Sequence, residues 1–176
     1  VQKDPIAAPF CLGRDLVCIY SRRHLDHPPE RRAEKLSHNA VAMRQLKELL
    51  AEGGVTLYLA PSGGRDRRGE NGDIEVAFFD PDAIEMMRLL ATSCGQPTTC
   101  RTLALATYDV LPPPAAVQRE LGEVRCTLGG PIGLALGAPV EWEILPKGKE
   151  SRELRARHVY EDMLRAYKDL ERRLSS

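Results

Sequence analysis

Residues 55–68, VTLYLAPSGGRDRR, decide how this chain is read. The run VTLYLA has the length and the β-branched, aromatic character of a strand. Pro61, Ser62, Gly63 and Gly64 break it at once, and Arg65, Arg67 and Arg68 follow. A second strand-like run, residues 15–20 (DLVCIY), also ends in a basic turn, Ser21-Arg22-Arg23-His24. Between the two lies a segment of helical period over residues 37–52. Ser37 is placed to cap it, Ala42, Leu46, Leu49 and Leu50 share one face, and Gly53-Gly54 stops it. Strand, helix, strand is the order of a parallel pair with a crossover. It would bring the C-terminal ends of both strands, and so both basic loops, to one edge of a sheet.

The rest of the chain continues the alternation. Asp80-Pro81 predicts a helix start, Ile84, Met87, Leu90 and Ala91 give it an apolar stripe, and Gly95 closes it. Residues 102–107 (TLALAT) read as a buried third strand, Pro112, Pro113 and Pro114 break the chain, and residues 123–128 and 132–136 read as further strands. Residues 150–174 form an amphipathic helix with Tyr160, Met163, Leu164, Tyr167, Leu170 and Leu174 at helical spacing. The expected fold is α/β: a mixed, largely parallel central sheet flanked by helices, one incomplete domain over residues 1–176. The chain opens at Val1 and is read as an excerpt of a longer protein.

Composition narrows the functional classes. The 25 basic residues balance 25 acidic ones, so no field drives the whole molecule onto nucleic acid or an anionic surface. No run approaches the roughly 18 apolar residues of a membrane helix. Peripheral membrane contact is left open. The five cysteines, Cys11, Cys18, Cys94, Cys100 and Cys126, include no CxxC pair, and the four histidines lack zinc-ligand spacing. They read as small apolar residues in a reducing compartment; no metal or cofactor is expected.

Electrostatic function must then be local, and the two basic loops are where it concentrates. Arg23 and His24 from one loop, with Arg65 and Arg67 from the other, would gather charge at the sheet edge where open α/β sheets bind ligands. Arginine forks match phosphate oxygens. Ser62, Gly63 and Gly64 would support the loop, since consecutive glycines let backbone N–H groups approach an anion. GxxxxGK[ST] spacing is absent, which argues against a nucleotide. Arg22, Arg31, Arg32 and Arg68 read as solvated charges, and Asp26 and Asp66 as carboxylates that orient arginines.

Three ordered blocks then resemble one family. Ala60-Pro61-Ser62-Gly63-Gly64-Arg65-Asp66-Arg67 resembles the acceptor-binding block of plastid-type, soluble glycerol-3-phosphate acyltransferases. The stretch from Ile19 to His24 is similar to that family's preceding block, with Arg23-His24 where a Lys-His pair is usual. The segment LALATYDVLPPP, residues 103–114, is similar to its last block. The resemblance implies transfer of a fatty acyl group from acyl carrier protein or coenzyme A to the sn-1 hydroxyl of glycerol 3-phosphate, in the plastid stroma or a bacterial cytoplasm. It assigns Arg23, His24, Arg65 and Arg67 to the acceptor's phosphate.

The family's chemistry also uses a His-x4-Asp pair, with the His as general base and the Asp fixing its tautomer. The positions five beyond His24, His27, His38 and His158 are Pro29, Arg32, Met43 and Met163. No catalytic residue is therefore assigned within the chain, and the pair is expected upstream of Val1. A lysophosphatidic acid acyltransferase-like enzyme and a non-catalytic anion-binding module are the alternative readings.

Overall fold

Pro29 pre-sets the backbone of a short 3-10 turn, Pro29–Arg31, and a long helix grows directly from it. A computed structural model describes residues 15–20, 22–63, 66–113 and 127–175. They fall into two units, residues 15–57 with 93–96 and residues 58–92 with 97–113 and 127–175.

In the first unit a single helical turn, α1 (Arg22–Leu25), precedes the long helix α2 (Arg32–Glu52). The expected start at Ser37 is corrected: the 3-10 turn and an Arg31–Glu34 ion pair at 2.7 Å begin the helix earlier. Its inward face carries Lys35, Asn39, Ala42, Met43, Leu46, Leu49 and Leu50, a stripe at helical spacing whose first turns are polar. Gly53 ends it at φ 77°, with its N–H bonded to the carbonyl of Leu50 at 3.2 Å.

The second unit begins with residues 58–60 and a glycine-rich loop whose glycines and charges argue against a regular element. It closes instead into a small antiparallel hairpin, β1 (Arg67–Arg68) with β2 (Ile74–Glu75). Helix α3 (Pro81–Ser93) starts as expected. The Asp80 carboxylate accepts the N–H of Asp82 at 2.9 Å, its carbonyl accepts that of Ile84 at 3.1 Å, and Pro81 occupies the first helical position. Strands β3 (Arg101–Ala106) and β4 (Gly133–Pro139) pair antiparallel, with Ala106 opposite Gly133 and Ala104 opposite Ala135.

Helix α4 (Arg152–Leu174) lies on this pair. Ala104 and Ala106 are buried against Met163 and Tyr167, with Ile74, Val76, Phe79, Tyr160, Leu170 and Leu174 around them. The strand positions facing the helix are small because it comes close: a Cβ on Gly133 would sit 3.1 Å from Leu170. Leu103, Leu134 and Leu136 consequently occupy the opposite face and are exposed.

A mixed helix-and-strand fold is present as expected; every strand pair among the described residues is antiparallel, so they do not include the largely parallel central sheet. Residues 15–20 and 55–60 have strand-like sequences but join no ladder. Strand formation requires a partner backbone as well as a side-chain pattern. Residues 123–126 of a further predicted strand lie outside the described residues, as do Cys11 and Cys126, whereas Cys94 is buried.

Helices α3 and α4 are joined by a buried ion pair. The Arg155 guanidinium donates to Glu85 Oε2 from Nη2 at 2.8 Å and from Nε at 3.1 Å, and to the carbonyls of Pro146 at 2.5 Å and Gly148 at 3.1 Å. Arg88 donates to the same carboxylate at 2.7 and 3.1 Å. The hydrogen bond from Arg88, reinforced by that from Arg155, holds the Glu85 carboxyl well below the usual range, at about 2, against the cost of burial.

A carboxyl that ionises more easily folded than unfolded stabilises the fold above its unfolded pKa, and that stabilisation disappears as pH falls through the folded value. Glu85→Gln should lower unfolding free energy at pH 7 by roughly 3 kcal/mol. The gap from wild type, measured by urea denaturation, should narrow as pH is lowered from about 5 towards about 2. A gap that stays constant over that window would show that the charge of Glu85 is not the stabilising element.

Candidate functional site

Each basic loop is shaped by side chains from the unit that carries it. In the first unit, the N-terminal turns of α2 fasten the segment leading into the basic turn. The Asn39 side chain accepts the Tyr20 N–H at 2.8 Å and donates to the Tyr20 carbonyl at 2.9 Å, making the two-bond pairing that a neighbouring strand would otherwise supply. His38 Nε2 lies 2.8 Å from the Cys18 carbonyl, and its ring meets Tyr20 edge-on at 5.3 Å. Lys35 is buried, its ammonium donating to the carbonyl of His24 at 2.5 Å and to that of His27, with the Tyr20 ring 5.6 Å away.

His24 is exposed at the end of this fastened backbone. Arg23 belongs to α1, but its side chain lies outside the description. Asp26 orients an arginine, as expected; that arginine is Arg32, at 2.8 Å. Arg31 and Arg32 are exposed surface charges paired with nearby carboxylates.

In the second unit, the N–H of Gly63 bonds to the Ala60 carbonyl at 3.2 Å, closing a turn through Pro61 and Ser62, with Gly63 at φ 61°. That left-handed backbone suits glycine, and there is open space where its Cβ would stand. Gly64 and Arg65 lie outside the described residues. Asp66 turns inward, its carboxylate accepting the Ala77 N–H at 3.0 Å. Burial first, and the charge of Asp66 second, raise the pKa of the Tyr160 phenol, whose hydroxyl donates to the Val76 carbonyl at 2.8 Å. Arg67 follows in β1 opposite Glu75, half-buried.

Arg68 is an exposed charge, as expected, and also makes specific contacts. It donates to the Gly72 carbonyl at 2.7 Å, pairs with Asp109 at 3.2 Å and lies over the Tyr108 ring at 5.0 Å. The hairpin end of the arginine loop is thus tied to the Tyr108-Asp109 segment of the third sequence block. The Gly69 N–H closes the hairpin on the Asp73 carbonyl at 2.9 Å.

The structure therefore holds His24 in one unit and Ser62, Gly63 and Arg67 in the other. Sequence reading missed Lys35, Asn39 and Arg68, for a lysine, an asparagine and an arginine in polar stretches carry no local mark of tertiary contact. Among the described residues no group of acidic, His or Cys side chains could hold a metal ion, and no helix is long and apolar enough to cross a membrane.

Comparison with known proteins supplies the remaining evidence. No protein-family model matches the chain. It is 33% identical over 169 residues to a chloroplastic glycerol-3-phosphate acyltransferase of Cucurbita moschata, covering 93% of this chain and 38% of that protein. Chloroplastic glycerol-3-phosphate acyltransferases of Arabidopsis thaliana (34% identity, 86% of this chain, 33% of the relative) and Spinacia oleracea (35%, 91% and 34%) are similarly matched. The chain spans only about a third of the length of these curated relatives. Over most of its own length it is homologous to chloroplastic glycerol-3-phosphate acyltransferases, in agreement with the three sequence blocks.

Asp66 offers a direct test of how the arginine loop is held. A carboxylate hydrogen bond to a half-buried backbone N–H contributes about 1.5–3 kcal/mol. Asp66→Ala should lose about that much in urea denaturation, whereas Asp66→Asn, which keeps an acceptor, should lose less than half of it. Equal losses for the two variants would mean that Asp66 anchors nothing through this bond.

Proposed function

We propose that this chain, homologous to chloroplastic glycerol-3-phosphate acyltransferases, is the acceptor-binding part of a soluble enzyme of that kind, working in the plastid stroma. The reaction is transfer of a fatty acyl group from acyl carrier protein or coenzyme A to the sn-1 hydroxyl of glycerol 3-phosphate. Arg23, His24, Arg65 and Arg67 clamp the acceptor's phosphate. The observation that carries this reading is the loop after Ala60. In it Gly63 adopts a left-handed backbone, Asp66 is turned into the protein, and the arginines alternate with that anchored carboxylate.

The physical logic follows from that alternation. Anchoring Asp66 fixes the backbone that runs into β1, so Arg67 starts from a set position and loses less freedom when it closes on a phosphate. The planar forks of Arg23, Arg65 and Arg67 and an N–H of the His24 ring would orient the phosphate, leaving the far hydroxyl free to attack a thioester. The proton must leave that hydroxyl by way of a base. His158, the one histidine with an aspartate one turn on, lies 3.7 Å from Asp162 on exposed helix surface and has a spacing of four rather than five. We assign the base to none of the four histidines here.

The parallel sheet belongs to the same proposal. Leu103, Leu134 and Leu136 expose an apolar face on β3 and β4, and residues 55–60 have strand character without a strand partner. Both features suit an incomplete domain whose sheet is extended and covered in the whole enzyme.

The clamp is tested in the full-length protein. Arg65→Ala or Arg67→Ala should lower kcat/KM for glycerol 3-phosphate by about 10- to 150-fold, the worth of one charged hydrogen bond. Lysine at either position should restore only part of it, and the acyl donor's KM should stay within a few-fold. Arg31→Ala, on the exposed helix start, should change little. Loss of folding, or equal weakening toward donor and acceptor, would identify the loop as a structural ion-pair network. The 176-residue chain alone should show no acyl transfer above background.

A further inference from the structure

The basic turn is held by a cation that its sequence motif does not include. Lys35, eleven residues beyond His24, is only 4% exposed, yet its ammonium reaches the carbonyls of both His24 and His27. A buried ammonium is costly unless its protons are satisfied. Here it satisfies carbonyls at and just beyond the C-terminal end of α1, which a four-residue helix leaves without intrahelical partners. Asn39, one turn further along the same face of α2, holds Tyr20 ahead of the basic turn. The turn is thus fastened before and after Arg22 and Arg23 by two side chains of one helix.

We propose that Lys35 is a positioning residue for the acceptor site. By holding the His24 carbonyl it fixes the backbone from which the exposed imidazole projects, so that His24 meets the phosphate without first being ordered. The inference rests on the reading of His24 as a phosphate ligand. Lys35 itself touches no substrate, being sealed behind the turn. Its effect must therefore pass through His24 and appear in acceptor binding rather than in turnover.

The test uses the full-length protein and steady-state kinetics with glycerol 3-phosphate. Lys35→Met keeps the aliphatic stem and removes the ammonium. It should raise the acceptor KM about 5- to 30-fold, equivalent to about 1–2 kcal/mol, with kcat and the donor KM changed less than about threefold. His24→Ala should raise the acceptor KM at least as much, and the double variant no more than His24→Ala alone, because one residue acts through the other. Ala42→Gly, at a buried site of α2 away from the turn, controls for general destabilisation and should leave the acceptor KM unchanged.

Additive losses, or a Lys35→Met enzyme with unchanged acceptor KM, would overturn the proposal. If His24→Ala itself has no effect, the parent reading of the clamp fails instead. Should Lys35→Met not fold, the wild-type protein still decides the matter. The 15N resonance of the Lys35 ammonium should shift when glycerol 3-phosphate is added and stay still in His24→Ala; an unresponsive resonance in wild type counts against it.

Discussion

Ala104, Ala106 and Gly133 bring two strands close enough to α4 for Met163 and Tyr167 to be sealed from water, and the second unit is assembled around that approach. Burial of two such side chains contributes roughly 1.5–3 kcal/mol each. From the same helix Tyr160 takes hold of the Val76 carbonyl, and Arg155 of Glu85 on α3. A helix laid against small residues is thus also the support from which the chain following the arginine loop is hung. Asp66, bonded to Ala77 beside that attachment, ties the start of the β1–β2 hairpin to the same support.

Both basic loops follow one physical pattern: a polar side chain bonded to backbone groups holds the main chain beside the basic residues. Lys35 and Asn39 do this for the turn at His24, and Asp66 with Arg68 for the loop at Arg67. The arrangement suits recognition of a small anion, for which ordering flexible arginines is a main cost of binding. Arg68 adds a connection of its own, since its contacts with Tyr108 and Asp109 join the second and third sequence blocks within one unit.

The parts of the fold legible in the sequence were those specified by neighbours along the chain. Asp80-Pro81 announced a helix start and Gly53 a helix stop, and the apolar spacing from Tyr160 to Leu174 announced the packed face of α4. What could not be read was pairing. Residues 15–20 and 55–60 look like strands, but a ladder depends on a distant backbone; β3 found β4 in antiparallel register instead. The TLALAT run was read as a strand correctly, yet its faces could not be assigned. Small residues went inward only because α4 comes so near, and that is a tertiary fact. At the site, the glycines and arginines were conspicuous by type, whereas Lys35 sits in a charged stretch where nothing local distinguishes a buried lysine from a solvated one.

The central claim, that the arginines of the loop after Ala60 grip the phosphate of the acceptor, is tested most directly by observing them. In full-length protein labelled with 15N at arginine, the Nε–Hε resonances of Arg65 and Arg67, assigned through their lysine variants, would be followed during addition of sn-glycerol 3-phosphate and, separately, of glycerol. The account predicts saturable shifts of both resonances with the phosphate ester and none with glycerol. Resonances that ignore the phosphate ester, or respond alike to both compounds, would contradict it.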